Sequence, residues 1–312
     1  MNNNMPKVLF WNSLEICQID GFWYFVVGTE RIAAFRSGFR PRSDDIFLTS
    51  FIKTGTTWLK ALCYNILKFD DDEEEDRLAK MNPHEVVPSL EINFVEDGVQ
   101  RMLLSCSPPR LLHTHVPYCY LPEAVRESGC RFVYVARNPK DTVVSMWHFY
   151  NKMFTRDGGS EPFPLEGAVE SFCSGAVPYG PFYEHVLGYW EESQRRPEEV
   201  LFLKYEELCR EPKEQVRKLA SFMGRPFPST LTTRDGDDDE GVEKVLWRSS
   251  LGRLKELEVN KNGVLVGQLS NAHFFRKGTV GDWKNYLTPQ MAERIDQLTQ
   301  FKLQGTELPL DD

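Results

Sequence analysis

A lysine, a glycine and three threonines lie together at Lys53, Thr54, Gly55, Thr56 and Thr57. An apolar run at residues 45–50, typical of a strand, precedes them, and apolar residues at helical spacing follow from residue 57. The first backbone N–H groups of a helix and the helix dipole both attract an anion. The segment therefore predicts a phosphate-binding loop between a strand and a helix, against the simpler alternative of a strand-to-helix turn with chance residues.

The order of residues in this loop differs from that of common nucleotide triphosphatases. In those proteins a lysine follows the last glycine, and serine or threonine follows the lysine. Here Lys53 precedes Gly55, and Thr56 follows it directly. The order makes ATP or GTP hydrolysis a less favoured interpretation.

A second candidate phosphate contact comes after the apolar run at 132–136. Arg137 ends that run, and Ser145 lies about two turns into a helix expected to begin at Pro139. An arginine fork and a hydroxyl can bind one phosphate together. A structural ion pair between Arg137 and Asp141 explains the same residues equally well.

A third basic segment lies near the carboxyl end, at residues 276–285. It begins with Arg276, Lys277 and Gly278 and contains a second glycine at 281. Two cations before a glycine allow the backbone to approach a phosphate closely while the side chains contact it. An ordinary glycine-rich surface loop is the alternative.

Two histidines, His113 and His115, lie at the end of another apolar run. Histidine suits a general base because its unperturbed pKa of ~6.5 is close to working pH. A histidine at a strand end is more often structural. Zinc binding by the pair is possible in principle, but no cysteine or carboxylate lies nearby at ligand spacing, which argues against it.

Short apolar runs recur at 46–49, 111–114, 132–136 and 200–204, and most precede a helical pattern. Strands alternating with helices predict a central parallel β-sheet flanked by helices, in one α/β domain taking in residues 1–312. Ligands of such sheets bind beyond the carboxyl ends of the strands. Lys53, His115, Arg137 and Tyr205 fall at or just past those ends, so we expect them to form one site.

Charge and composition limit the possible partners. The net charge is −9, but two acidic runs at 70–76 and 235–240 contain twelve carboxylates, without which it would be +3. We expect these runs to be flexible, solvated loops and the amino-terminal residues to be flexible as well, and the remaining basic surface suits an anionic ligand. Nucleic acid is a disfavoured partner, because no long basic run is present.

Seven dispersed cysteines with no Cys-x-x-Cys pair predict free thiols in a reducing compartment. The amino-terminal residues do not have the pattern of a signal peptide, and no apolar stretch approaches the roughly 20 residues of a membrane span. The sequence therefore predicts a cytoplasmic protein without a membrane partner.

Taken together, these segments resemble the cytosolic sulfotransferases that use 3′-phosphoadenosine 5′-phosphosulfate (PAPS). The resemblance covers about residues 22–300. It rests on the loop at 51–58, on Thr114-His115-Val116-Pro117, on Arg137-Asn138-Pro139-Lys140-Asp141 and on the segment at 276–284. The segments at 21–24, 82–85 and 257–261 look like the plant-type branch.

The resemblance implies roles for particular residues. His115 would remove the acceptor proton, and Lys53 would stabilise charge on the departing 5′-phosphate. The implied nucleotide-binding residues are Lys53, Thr54, Gly55, Thr56, Thr57, Trp58, Arg137, Ser145, Tyr205, Ser249, Leu251, Arg276, Lys277 and Gly278. Candidates for an aromatic acceptor wall are Phe22, Trp23, Tyr24, Phe149, Tyr150 and Phe154. We expect no metal, and an acceptor that is a small, largely apolar hydroxyl compound such as a steroid, flavonoid or hydroxyjasmonate.

Five positions depart from the family pattern. Phe51-Ile52 stands where the family usually has Tyr-Pro, His113 where lysine is often found, and Leu251 where phenylalanine is usual. Pro289 interrupts the segment that animal members use to dimerise, so we expect a monomer or weak dimer. Two alternatives remain open: a PAPS-binding protein that has lost activity, and a P-loop kinase that uses ATP and magnesium.

Overall fold

The computed structural model describes residues 5–69, 76–94, 103, 106–154, 161–227, 240–265 and 269–310. Residues 70–75 and 235–239, which carry most of the two acidic runs, lie outside the described part, so their expected flexibility stays a prediction. Near the amino terminus, strands β1 (Lys7–Phe10), β2 (Leu14–Ile19) and β3 (Phe22–Phe25) form an antiparallel sheet.

Among the described residues, the central sheet consists of four parallel strands, as the sequence predicts. They are β4 (Ile46–Ser50), β5 (Leu111–Thr114), β6 (Arg131–Ala136) and β7 (Val200–Lys204), in the spatial order β5–β4–β6–β7. Every residue of β4 is buried, which fits a strand covered on both faces by helices. A two-stranded sheet, β8 (Val264–Leu265) and β9 (Leu269–Ser270), lies later in the chain.

Helices surround the central sheet and supply most of the remaining core. They are α1 (Thr29–Gly38), α2 (Thr56–Leu67), α3 (Pro83–Val86), α4 (Leu90–Asn93), α5 (Glu123–Arg126), α6 (Pro139–Phe154), α7 (Leu165–Cys173), α8 (Phe182–Arg195), α9 (Tyr205–Arg210), α10 (Pro212–Phe222), α11 (Glu240–Ser249), α12 (Leu251–Glu256), α13 (Glu258–Asn262) and α14 (Pro289–Leu303). Within the described ranges, none of the helices combines the length and apolar character needed to cross a bilayer.

The turn between β4 and α2 sets the geometry of the predicted anion loop. Lys53 and Gly55 both have positive φ, at 67° and 118°. Helix α2 begins at Thr56, one residue before its predicted start, so its free N–H groups face the end of β4. Helix α6 begins at Pro139, as expected for a proline at the first helical position. The expectation that one domain takes in all of residues 1–312 stays a prediction.

Candidate active site

A cleft opens at the carboxyl ends of the central strands. It brings together most of the residues singled out from the sequence, although they lie far apart along the chain. The residues that line it are Ile52, Lys53, Gly55, Thr56, Thr57, Trp58, His84, His115, Arg137, Ser145, Phe149, Tyr150, Tyr205, Leu251, Phe274, Arg276, Lys277 and Gly278.

Lys53 supplies a cation at the start of the anion loop. Its ammonium nitrogen lies 4.1 Å from the centre of the Phe149 ring. The pKa of Lys53 is lowered to about 7, first by burial and then by the positive charges of Arg137 and Arg276. The neighbouring cations repel one another, and a bound anion relieves this repulsion. The cleft therefore favours the binding of an anion.

Arg137 faces the cleft from the end of β6. One of its terminal nitrogens donates to the backbone oxygen of Thr279 at 2.8 Å and lies 3.4 Å from a carboxylate oxygen of Asp141. The predicted ion pair is therefore present, but among the described residues the buried Nε of Arg137 has no hydrogen-bond partner. Nε of Arg276 is likewise buried and unpartnered. Buried donors of this kind fit an anion as their partner.

Two carboxylates hold the basic loop at 276–283 in place. Asp141 accepts the backbone N–H groups of Gly281 at 2.8 Å and Trp283 at 2.9 Å. Asp282 accepts from Lys277 at 2.7 Å and also from Arg276. The loop therefore has a fixed backbone, and its cations reach the cleft with defined orientations.

His115 lies just past β5. Because β5 and β6 flank β4, it is on the other side of the anion loop from Arg137. Its Nδ1 is 2.8 Å from the carbonyl oxygen of Ser50, which can only accept, so Nδ1 carries the proton. The backbone N–H of His115 donates to Glu91 at 2.8 Å. Burial lowers the pKa of His115 to about 3, although the Ser50 hydrogen bond opposes this shift. The ring is therefore neutral at physiological pH, and the lone pair of Nε2 is free to accept a proton.

His113 is fully buried and has a different set of contacts. Its Nδ1 lies 2.8 Å from the Ser89 hydroxyl, and its Nε2 lies 3.4 Å from the Ser50 hydroxyl. Glu91, from a distant part of the sequence, brings a carboxylate close to both histidines, so that one ligand atom of each residue lies within 4.8 Å of the others. The sequence-based argument against zinc, that no carboxylate lies nearby, therefore does not hold, because Glu91 supplies one in the fold. The hydrogen bonds of His113, however, already occupy both its nitrogens.

The residues predicted to bind the nucleobase fall into two groups. Trp58 and Tyr205 meet edge to face, with ring centres 5.6 Å apart, and Leu251 lies against Gly278. Ser249, in contrast, is buried away from the cleft and accepts from the Asn65 side chain at 2.9 Å.

The Thr54 hydroxyl also points into the fold. It lies 2.8 Å from the backbone oxygen of Phe51 and 2.9 Å from that of Val135. The structure thus does not bring the hydroxyls of Thr54 and Ser249 to the cleft. Thr54 can contribute there only through its backbone.

Of the six candidate aromatic residues for the acceptor wall, Phe149 and Tyr150 line the cleft. The other four do not line it; they are Phe22, Trp23, Tyr24 and Phe154. Two rings outside this set line the cleft, and a third lies near His115. Phe274 and His84 line the cleft with rings 4.2 Å apart, and the ring of Tyr179 lies 5.3 Å from that of His115. His84 belongs to a segment recognised in the sequence, but no role was predicted for it.

Comparison with known proteins agrees with this geometry. The model of the sulfotransferase domain matches residues 43–307. The chain belongs to the sulfotransferase family. Cytosolic sulfotransferase 5 of Arabidopsis thaliana is 40% identical over 98% of this chain and 94% of its own length. Cytosolic sulfotransferase 8 of the same plant is 41% identical over 99% and 91%.

Solved structures agree with the family assignment. An Arabidopsis thaliana sulphotransferase superimposes with a TM-score of 0.73 at 31% identity, covering 98% of this chain and 92% of that one. Mouse sulfotransferase SULT7A1, solved with the nucleotide PAP (3′,5′-ADP), gives 0.69 at 28% identity over 93% and 95%. The predicted plant-type cytosolic family, α/β fold and enzyme class are thus confirmed. The P-loop kinase alternative is overturned by this assignment.

Proposed function

We propose that this sulfotransferase moves the sulfuryl group of PAPS to the hydroxyl of a small, largely apolar acceptor, with His115 as the general base. The proposal rests above all on the hydrogen bond from Nδ1 of His115 to the Ser50 carbonyl. That bond fixes the tautomer in which Nε2 accepts a proton, in the same cleft as the basic residues around Lys53. Relatives named as cytosolic sulfotransferases, and a mouse member solved with PAP, support the choice of nucleotide.

In the proposed reaction the acceptor oxygen forms a bond to sulfur, and the bond from sulfur to the 5′-phosphate oxygen breaks. The acceptor proton goes to Nε2 of His115. Lys53 and the first N–H groups of α2 stabilise the charge that develops on the departing phosphate. Because these groups already supply positive charge at that point, we propose that the reaction needs no metal.

The other end of the nucleotide lies, in this proposal, against Arg137, Ser145, Arg276, Lys277 and Gly278. The unpartnered Nε atoms of the two arginines are the donors that a 3′-phosphate would occupy. Trp58 and Tyr205 would contact the base. A nucleotide without a 3′-phosphate leaves the buried arginine donors unsatisfied, and we expect it to bind more weakly.

The acceptor is proposed to lie against Phe149, Tyr150 and Phe274, near His115. This wall is aromatic and fits a flat or alicyclic hydroxyl compound such as a steroid, flavonoid or hydroxyjasmonate. The alternative of a PAPS-binding protein without activity predicts the same nucleotide affinity but no transfer.

Calorimetry with 3′,5′-ADP, ADP and ATP, with and without magnesium, tests the nucleotide site. We expect micromolar binding of 3′,5′-ADP, much weaker binding of the other two, and no effect of magnesium. Equal affinities or a magnesium requirement would overturn the proposal. A screen of hydroxyl compounds with radiolabelled PAPS then separates an enzyme from a binding protein, since only the enzyme yields a labelled product.

A further inference from the structure

A buried lysine lies beneath the anion loop. Lys60 is on α2, four residues after Thr56, and is 0% exposed. Within the described part of the chain, no carboxylate lies at ion-pair distance from its ammonium group. Burial lowers its pKa to about 7, while the charge of Glu91 opposes the shift. A buried cation without an ion-pair partner is costly, so its contacts need an explanation.

The first contact of Lys60 leads to Thr57. Nζ of Lys60 lies 3.1 Å from Nδ1 of His84, and Nε2 of His84 lies 2.9 Å from the Thr57 hydroxyl. An ammonium group can only donate, so Nδ1 of His84 accepts and its proton lies on Nε2. Nε2 then donates to the oxygen of Thr57. The hydroxyl hydrogen of Thr57 is left free to point into the cleft, which this residue lines.

The second contact of Lys60 leads to Thr56 through a longer chain. Nζ donates to the Ser89 hydroxyl at 3.2 Å, and Ser89 lies 2.8 Å from Nδ1 of His113. Nε2 of His113 lies 3.4 Å from the Ser50 hydroxyl, the longest step. The Ser50 and Thr56 hydroxyls are 2.7 Å apart.

If each group in this second chain donates away from Lys60, the hydroxyl hydrogen of Thr56 also ends free at the cleft. Both hydrogen-bond chains therefore start at Lys60. One ends at the hydroxyl of Thr57 and the other at the hydroxyl of Thr56. Thr56 and Thr57 lie four and three residues before Lys60, on the same side of α2, which explains how one lysine serves both.

We propose that Lys60 is a positioning residue for the 5′-phosphosulfate end of the nucleotide: through His84 and His113 it orients the hydroxyls of Thr56 and Thr57 as donors toward the anion. This inference rests on the proposed function of the cleft. Without a cation at position 60, each hydroxyl could equally well turn its lone pairs toward the anion, which would weaken binding. The buried charge also adds to the positive potential at the start of α2.

A purely structural role for Lys60 makes a different prediction. In that case Lys60 only holds α2 against the segment that carries His84 and Ser89, and its removal would lower the affinity for all nucleotides alike. If Lys60 instead acts through the two threonines, the loss is confined to ligands that carry a 5′-phosphate.

The test compares 3′,5′-ADP with adenosine 3′-monophosphate, which lacks the 5′-phosphate, by calorimetry or competition. In Lys60→Met we expect the affinity for 3′,5′-ADP to fall about tenfold, the range for a hydrogen bond to a charged group. The affinity for adenosine 3′-monophosphate should stay within twofold. Lys218→Met, which removes an exposed lysine from α10, is the matched control and should change neither affinity.

Two variants of His84 test the shorter chain directly and serve also if Lys60→Met does not fold. His84→Gln keeps a donor toward Thr57 and should retain most of the affinity for 3′,5′-ADP, whereas His84→Leu should lose several-fold. Equal losses for both nucleotides, no loss in Lys60→Met, or equal effects of the two His84 variants would overturn the inference. If the wild-type protein itself does not prefer 3′,5′-ADP, the proposed function fails instead.

Discussion

Gly55 lies directly against the ring of Tyr205. A Cβ atom at position 55 would come 2.7 Å from Cδ2 of that ring, and the φ angle of Gly55 is +118°, where side chains are rarely tolerated. The contact joins the anion loop to the residue proposed to hold the base. The absence of a side chain at position 55 therefore allows the two ends of the proposed nucleotide site to pack against each other.

The first prediction concerns Gly55→Ala. We expect the affinity for 3′,5′-ADP to fall at least tenfold, because the loop or the tyrosine must move, and the free energy of unfolding to fall by about 1–3 kcal/mol. Calorimetry and chemical denaturation measure the two effects. Gly129→Ala is the control: its φ is also positive, at +76°, but apart from its chain neighbours no described residue lies within 4 Å of the added Cβ. It should lower stability modestly and leave binding unchanged.

The second prediction concerns pH. In the free protein the pKa of Lys53 is lowered to about 7, by burial first and then by Arg137, Arg276 and Lys152. A bound anion favours the charged lysine and raises this pKa, so binding above pH 7 takes up a proton. The affinity for 3′,5′-ADP should therefore fall as pH rises from 7 to 9.

Calorimetry at pH 8 in two buffers of different ionisation enthalpy measures the proton uptake. Lys53→Met should bind more weakly at pH 7 and show a smaller uptake at pH 8. The pKa of Lys60 is also lowered to about 7, so Lys60 is a second candidate for the group that takes up the proton. The proton uptake of Lys60→Met is therefore measured as well. Uptake that is the same in wild type and Lys53→Met would contradict the assignment to Lys53.

The third prediction concerns Asp141, whose two oxygens accept the N–H groups of Gly281 and Trp283. In Asp141→Asn one oxygen becomes an amide group that cannot accept, so one loop N–H loses its partner. We expect the free energy of unfolding to fall by about 1–3 kcal/mol and the affinity for 3′,5′-ADP to fall. Asp296→Asn, whose carboxylate is half exposed and pairs with Lys140, should change both far less. Equal effects of the two variants would argue against the anchoring role.

Much of this arrangement was predictable from the sequence because the central strands are short, apolar and buried on both sides. Once the strands are known, residues just after them must meet at one edge of the sheet, which brought Lys53, His115 and Arg137 together correctly. The family resemblance added the basic loop at 276–283, whose position depends on tertiary contacts with Asp141.

Other features could not be read from local patterns. The orientation of a hydroxyl depends on its partners, and Ser249 turns toward Asn65, a residue 184 positions away. His84 lies in a segment that resembles the family and Phe274 lies just before the basic segment at 276–285, but no local pattern indicates that their rings line the cleft. Aromatic residues are also common in cores, so Tyr24 and Phe22 could not be distinguished from acceptor contacts by type alone.

The most direct test of the central claim compares wild type with His115→Ala in two measurements: single-turnover transfer from PAPS to an acceptor found in the screen, and calorimetric binding of 3′,5′-ADP. The account predicts that transfer falls by about 10²–10⁴-fold, the range for loss of a general base, while 3′,5′-ADP binds within threefold of wild type. Transfer that stays within a few-fold of the wild-type rate would contradict the claim that His115 is the base.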